Sequence, residues 1–257
     1  METGTTYRYF IRLAYNGGRY HGWQMQDNAL TVQAVVNDAV SKIFGQQINV
    51  TGCGRTDAGV HAREFFIHFD IAYIIQKQDK ETYLKKLNGY LPKNISMSEI
   101  IPVTENAHAR FDAASRTYQY FISRKKDPFN QDFSWFVYGD IDVDKLNEAA
   151  NILFGYSDFT SFSKTNTDTI TNNCKIKFAH WEEKDNMLVF TITADRFLRN
   201  MVRAIVGTLL DVGRGKNDLA GLRKIIESKN RSNAGYSVPA KGLFLTKVEY
   251  PKSLFLK

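Results

Sequence analysis

At 257 residues, with 43% hydrophobic and 24% charged side chains, the chain has the composition of a globular protein with a sizeable core, in one large domain or two. A net charge of +7 favours a polyanionic partner, and no apolar run approaches the ~20 residues of a membrane span. Two cysteines, Cys53 and Cys174, with no CxxC, speak against a zinc knuckle or disulfide framework and read as buried thiols of a reducing compartment.

The first element alternates. Tyr7, Tyr9, Ile11, Leu13 and Tyr15 share one face of a strand, Arg8 and Arg12 the other, and "NGGR" (Asn16 to Arg19) ends it. Thr31 reads as the N-cap of a helix whose apolar stripe is Val32, Val35, Val36, Ala39, Val40 and Ile43, with Gly45 at C′. "INVTGC" and "EFFIHFD" read as strands, and Glu81 to Leu91 as a second helix. The pattern resets around Pro102 to Asn106. "RTYQYFIS" (Arg116 to Ser123) reads as a strand and Asp144 to Phe154 as an amphipathic helix closed by Gly155. "FAHWEE" and "MLVFTITAD" flank a hairpin turn at Lys184 to Asn186. Phe197 to Val212 is the strongest helical pattern. A helix over Leu219 to Ser228 and a strand in "GLFLTKVEY" follow. The succession predicts an α+β fold of two domains, 1–105 and 106–257, with mainly antiparallel sheets and a ligand cleft between them.

Four stretches could carry chemistry. "GCGRTDAGVHA" (Gly52 to Ala62) places Asp57 in a turn among Gly52, Gly54 and Gly59, which permit positive φ and close approach of a ligand. An Asp there can equally be an Asx-turn residue bonding its own backbone. "DRFLRNMVR" spaces Arg196, Arg199 and Arg203 at i, i+3 and i+7, one face of the expected helix. Such a row needs an anion from elsewhere, a carboxylate or phosphates. "HARFDAASRTYQYF" interleaves Arg110 and Arg116 with Phe111, Tyr118 and Tyr120. Cations for phosphates and rings for unstacked bases are what single-stranded RNA binding needs, although a tyrosine can also be plain core. In "YNGGRYHGWQMQ", His21 has no metal-ligand spacing to His61, His68, His108 or His180.

In this order the stretches, with "FTSFSK" and the closing "AKGLFLTKVEYP", resemble the TruA family of tRNA pseudouridine synthases over almost the whole chain. The resemblance implies two RRM-like, ferredoxin-like α/β halves around a central basic cleft and a cytoplasmic homodimer. It implies isomerisation of uridine to pseudouridine at positions 38, 39 and 40 of the tRNA anticodon stem-loop, with no cofactor, metal or membrane. Asp57 falls on the family's catalytic aspartate. Tyr118, Arg55 and Arg203 fall on substrate-binding positions, and Ala107, His108, Ala109, Arg110, Phe111 and Arg199 on positions that contact tRNA. In "SKTNTDTITNNC" (Ser163 to Cys174), a stretch expected to touch tRNA, Ile170 and Cys174 stand where some relatives carry arginines.

The chemistry then expected breaks the N1–C1′ bond, rotates the uracil and joins C5 to C1′. Asp57 either adds to C1′ or removes the 2′ proton to give a glycal. Both roles need it ionised in a water-excluded site, and Arg203 is expected to pair with it and oppose the cost of desolvation. Arg55 would hold the flipped nucleotide's phosphate, and Tyr118 would stack on uracil and accept the C5 proton. A non-catalytic RNA-binding protein or chaperone explains the charge but gives Asp57 no role. A carboxylate glycoside hydrolase ordinarily needs a second acid, which the motif lacks.

Overall fold

The computed structural model describes residues 6–164 and 170–256. The chain forms two compact units: one runs up to Ala114 and resumes at Leu245, and the other spans Ser115–Phe244. The division expected at 105/106 thus moves to 114/115, and the C-terminal segment returns to the first unit. The reason is local bonding. The loop 107–112 is tied to the first unit by Arg8, whose Nη1 donates to the Ala107 carbonyl at 3.0 Å, and by the Tyr250 hydroxyl, which donates to the Ala109 carbonyl at 2.6 Å.

The first unit contains β1 (Tyr7–Tyr15), α1 (Val32–Phe44), β2 (Thr51–Gly52), β3 (His61–Ile71), α2 (Lys80–Tyr90) and β4 (Ile95–Pro102). Its antiparallel sheet runs β4, β1, β3, with β2 paired to β3. β1 buries Tyr9, Ile11, Leu13 and Tyr15, the alternate face read from the sequence, and Phe10 as well. Thr31 caps α1 by accepting from Ala34 N, and Gly45 ends it at φ 71°, a left-handed conformation that glycine adopts without a Cβ clash. Phe44 carries α1 onto β3 and α2 together, its ring 5.1 Å from Phe69 and stacked 4.8 Å from Tyr83.

β4 is an element the sequence pattern did not disclose. Its buried residues are Ile95, Met97 and Ile100, a spacing of two and then three. A bulge explains it: Leu13 pairs with Met97 and Arg12 with Glu99, so Ser98 is an extra residue and the alternation changes face there.

The second unit contains β5 (Ser115–Ser123), β6 (Trp135–Phe136), α3 (Val143–Ile152), β7 (Ile176–Lys184), β8 (Met187–Ala194), α4 (Met201–Gly213) and α5 (Leu219–Glu227). β9 (Leu243–Glu249) then leads the chain back into the first unit. The sheet runs β6, β5, β8, β7, parallel between β6 and β5 and antiparallel elsewhere. Asp185 and Asn186, both at positive φ, make the tight β7–β8 turn. α3 packs on β7, α4 and α5. α4 is apolar nearly all round and is buried along most of its length.

α4 begins four residues later than its apolar pattern predicts. Asn200 sits at φ 66°, a left-handed residue that cannot continue a helix backwards. Arg196 and Arg199 are therefore not helical, and the expected row of three arginines on one helix face does not exist: Arg203 alone of the three lies on α4.

Candidate functional site

The loop between β2 and β3 carries Arg55, Thr56 and Asp57, and the segment after β1 clamps it from behind. Trp23 N donates to the Thr56 carbonyl at 3.1 Å, Gly59 N to the Tyr20 carbonyl at 3.2 Å, and Gly17 N to His61 Nδ1 at 3.1 Å. The buried hydroxyls of Tyr15 and Thr56 lie 2.9 Å apart. Within the loop Val60 N donates to the Asp57 carbonyl at 3.1 Å.

Two glycines make this approach possible. A Cβ on Gly17 would stand 1.9 Å from the Val60 carbonyl oxygen. Gly22, at φ 93°, would bring a Cβ within 2.5 Å of the Thr56 carbonyl oxygen. "YNGGRYHGW" is thus the back wall of "GRTDAGVHA", a relation between two motifs that sequence order alone does not reveal. The glycines of the second motif divide in role. Gly59 takes φ 78°, as expected of a turn glycine, whereas Gly52 is needed for space, since its Cβ would lie 2.6 Å from the Trp23 indole.

The clamp leaves Asp57 half-buried, Thr56 buried and Arg55 exposed. Beside the loop opens a cavity of about 170 Å³ lined by Trp23, Gln24, Gln33, Thr51, Gly52, Gly54, Arg55 and Arg110. The Gln33 side-chain Oε1 accepts from Gln24 Nε2 at 3.0 Å and Met25 N at 2.9 Å, while its Nε2 donates to the Val50 carbonyl. Sequence reasoning passed over both glutamines, because a polar residue in a loop, as Gln24 is, or in the first turn of a helix, as Gln33 is, carries no distinguishing signal. Among the described residues no three His, Cys, Asp or Glu converge on a point that could hold a metal ion.

Residues 107–111 adjoin the cavity through Arg110. His68 Nδ1 accepts from Ala109 N at 3.0 Å. His108 Nδ1 accepts from Arg110 N at 3.1 Å and Phe111 N at 3.2 Å, and His108 N donates to an Asp112 oxygen at 2.7 Å. A lone pair on each Nδ1 requires that nitrogen to be unprotonated. Burial lowers His68, from an ordinary 6.5 to about 4, with Arg8 and His108 adding to the shift, and burial lowers His108 as well. Arg8 grips Asp70 with two hydrogen bonds of 2.8 and 2.7 Å, which hold that carboxyl below its usual range.

In the second unit, Tyr118 faces Ile192 across β5 and β8, and its buried ring meets Phe197 edge-on at 5.1 Å. Tyr120, two residues on, is a core residue: its hydroxyl donates to the Pro239 carbonyl at 2.8 Å, and burial pushes its pKa far up. Arg203 is half-buried in the first turn of α4, its Nε donating to the Val238 carbonyl at 2.7 Å. Arg199 is exposed just before that helix, with its carbonyl accepting from Lys164 N. Of the loop 163–174, residues 165–169 lie outside the described residues. Ile170 is exposed and Cys174 buried, where desolvation pushes its thiol up to about 12, so the Cys174 side chain is core rather than surface.

The sequence pattern of a family described as "tRNA pseudouridine synthase" matches residues 13–112 and 149–251, well over half the chain. The chain belongs to the tRNA pseudouridine synthase family. It is 52% identical over 248 residues to a protein of Parabacteroides distasonis named "tRNA pseudouridine synthase A", covering 96% of this chain and 98% of that one. Relatives of the same name from Bacteroides thetaiotaomicron and Clostridium acetobutylicum are 52% and 40% identical, covering 96% and 93% of this chain and 92% and 98% of their own lengths. Members of this family are isomerases that act on uridine in tRNA, and no helix among this chain's described residues is long and apolar enough to cross a membrane.

Proposed function

We propose that this chain converts uridine to pseudouridine at positions 38, 39 and 40 of the tRNA anticodon stem-loop, with Asp57 as its catalytic residue. The observation that carries the reading is the clamp: a carboxylate on a loop whose backbone is fixed through Gly17, Gly22 and Tyr15, beside a cavity lined by two arginines. Rigid placement of one reacting group is what positional catalysis requires.

In this reading the N1–C1′ bond breaks and its electron pair leaves with uracil. Asp57 compensates C1′, either by forming an ester bond there or by taking the 2′ proton to leave a glycal. The base rotates and C5 bonds to C1′, reversing whichever step Asp57 made. The C5 proton is then lost and N1 gains one. Tyr118 stacks on the uracil and accepts the C5 proton. Arg55 takes the phosphate of the flipped nucleotide. Arg203 is the cation that keeps Asp57 ionised, and Ala107 to Phe111 with Arg199 contact the tRNA. A cytoplasmic homodimer completes the proposal, resting on the same resemblance.

Asp57→Asn should bind tRNA and release no tritium from uracil C5-labelled substrate, since an amide neither attacks C1′ nor accepts the 2′ proton. Measurable turnover by that variant would remove Asp57 from the mechanism. Transcripts with cytidine at 38, 39 and 40 should be inert, and product formed from them would move the target elsewhere. Arg203→Lys retaining part of the activity that Arg203→Ala loses would support the charge role.

A further inference from the structure

Arg203 is held in the first turn of α4 by a segment, 234–239, that has no regular secondary structure. The segment is nevertheless bonded along its length. Arg231 donates from Nη1 to the Ala234 and Gly235 carbonyls at 3.3 and 3.1 Å, and from Nη2 to Ser237 Oγ at 2.8 Å. Gly235 N donates to Thr208 Oγ1 at 2.9 Å, and that hydroxyl donates to the Ala204 carbonyl at 2.8 Å. Val238 N donates to the Arg203 carbonyl at 3.3 Å, while the Val238 carbonyl accepts from Arg203 Nε at 2.7 Å. Two residues next to or within α4 let the segment lie this close. A Cβ on Gly207 would stand 2.0 Å from the Tyr236 carbonyl oxygen. Asn200, at φ 66°, donates from Nδ2 to Ser237 Oγ. An asparagine at the start of a helix ordinarily accepts from the N–H groups of the first turn. The Asn200 side chain caps nothing in α4, and its amide goes to the segment instead.

A guanidinium is planar, so an acceptor fixed at Nε sets the direction of its two Nη groups. The same segment reaches β5, where the Pro239 carbonyl accepts from the Tyr120 hydroxyl, two residues along the strand from Tyr118 and on the same face. It therefore ties the arginine of α4 to the strand that bears the proposed stacking partner of the uracil. From this arrangement we infer that 234–239 is a brace that aims Arg203 for the reaction, with Asn200, Arg231 and Ser237 as positioning residues. They act through Arg203 and not on the RNA itself. A brace of this kind matters because a reacting constellation loses rate steeply when one member is displaced by about 1 Å.

The inference rests on Arg203 taking part in the reaction, and the experiment lets the two fail separately. Asn200→Gly, Ser237→Ala and Gly207→Ala are compared with the parent by three measurements. These are single-turnover C5 tritium release at saturating enzyme, affinity for an unmodified tRNA transcript, and the Nε–H resonance of Arg203 in protein carrying isotopically labelled arginine. Arg203→Lys, which has no Nε–H, assigns that resonance by its loss. Glycine at 200 keeps the left-handed backbone and removes only the amide, and alanine at 237 removes the acceptor that Asn200 and Arg231 share. Each should slow the reaction about 2- to 10-fold, the net contribution of one hydrogen bond. Gly207→Ala must drive the Tyr236 carbonyl back by at least about 1 Å to reach 3.0 Å, and should slow it by up to ~10²-fold. All three should move the Arg203 resonance and leave tRNA affinity at the parent value. Parent rates in Asn200→Gly and Ser237→Ala would overturn the brace. So would slowing with the resonance unmoved, or slowing that weaker tRNA binding accounts for. Those two variants decide the matter if Gly207→Ala does not fold, since neither adds an atom to the packing against α4. An Arg203→Ala protein as fast as the parent would instead remove Arg203 from the reaction, and the purpose of the brace with it.

Discussion

Gly22→Ala puts the clamp behind Asp57 to a direct test. The new Cβ would stand 2.5 Å from the Thr56 carbonyl oxygen and 3.3 Å from Ala58 N and the Asp57 carbonyl carbon, so the loop must retreat by at least about 0.5 Å to reach a tolerable 3.0 Å. The residue also sits at φ 93°, a region that costs a non-glycine residue on the order of 1–3 kcal/mol. Two effects are therefore mixed, and Gly45→Ala separates them. Gly45 has a similar φ of 71° with nothing within 4 Å of the added Cβ. It should lose roughly 1 kcal/mol of stability and no activity. Gly22→Ala should lose about 10- to 100-fold in single-turnover rate, since a displacement near 1 Å costs up to ~10²-fold. The assay is C5 tritium release at saturating enzyme, with urea unfolding to confirm that each variant is folded. A Gly22→Ala protein as fast as Gly45→Ala would show that the close backbone approach does not position the carboxylate.

Thr56→Val removes one hydroxyl of the buried Tyr15–Thr56 pair at nearly constant volume, and should cost about 1 kcal/mol in urea unfolding and slow turnover by more than the loss of folded protein explains. Stability should also fall as pH drops from about 6.5 toward 4. In that window the unfolded chain protonates His68 while the folded one, lowered to about 4, does not, so the unfolded state binds more protons. The shift corresponds to at most ~3 kcal/mol, and solvent screening reduces it to roughly 1–2 kcal/mol. His68→Gln should flatten that part of the acid limb, and an unchanged limb would refute the attribution.

Regular periodicity made most of the elements legible. β1, α1 with its Thr31 cap and Gly45 terminus, the β7–β8 hairpin and β9 follow from alternation, helical spacing and turn chemistry. Two of the failures share a kind of cause, a local backbone irregularity that leaves no mark on composition, whereas the domain boundary moved because side chains of the first unit hold the loop 107–112. The extra residue at Ser98 hid β4, and the left-handed Asn200 shortened α4 and dispersed its arginines. At the site, Asp57, Arg55 and Phe111 stood out by motif. The support did not, because Gly17 and Gly22 act through backbone contacts to a loop some forty residues away, and Gln24 and Gln33 through side-chain hydrogen bonds for which their polar character alone is no signal.

The return of the chain to its first unit has a bearing on biogenesis. Thr104 N donates to the Leu254 carbonyl, Val103 bridges to Phe255, and the rings of Tyr250 and Phe255 close over Phe10. The N-terminal unit consequently lacks part of its interior until residues past 250 have left the ribosome, whereas the unit threaded between its two pieces is continuous and free to fold earlier. Nascent chains stalled before that point should expose an unfinished aromatic core. The loop bearing Asp57 would then belong to the last portion of the molecule to mature, although it is among the first to be translated.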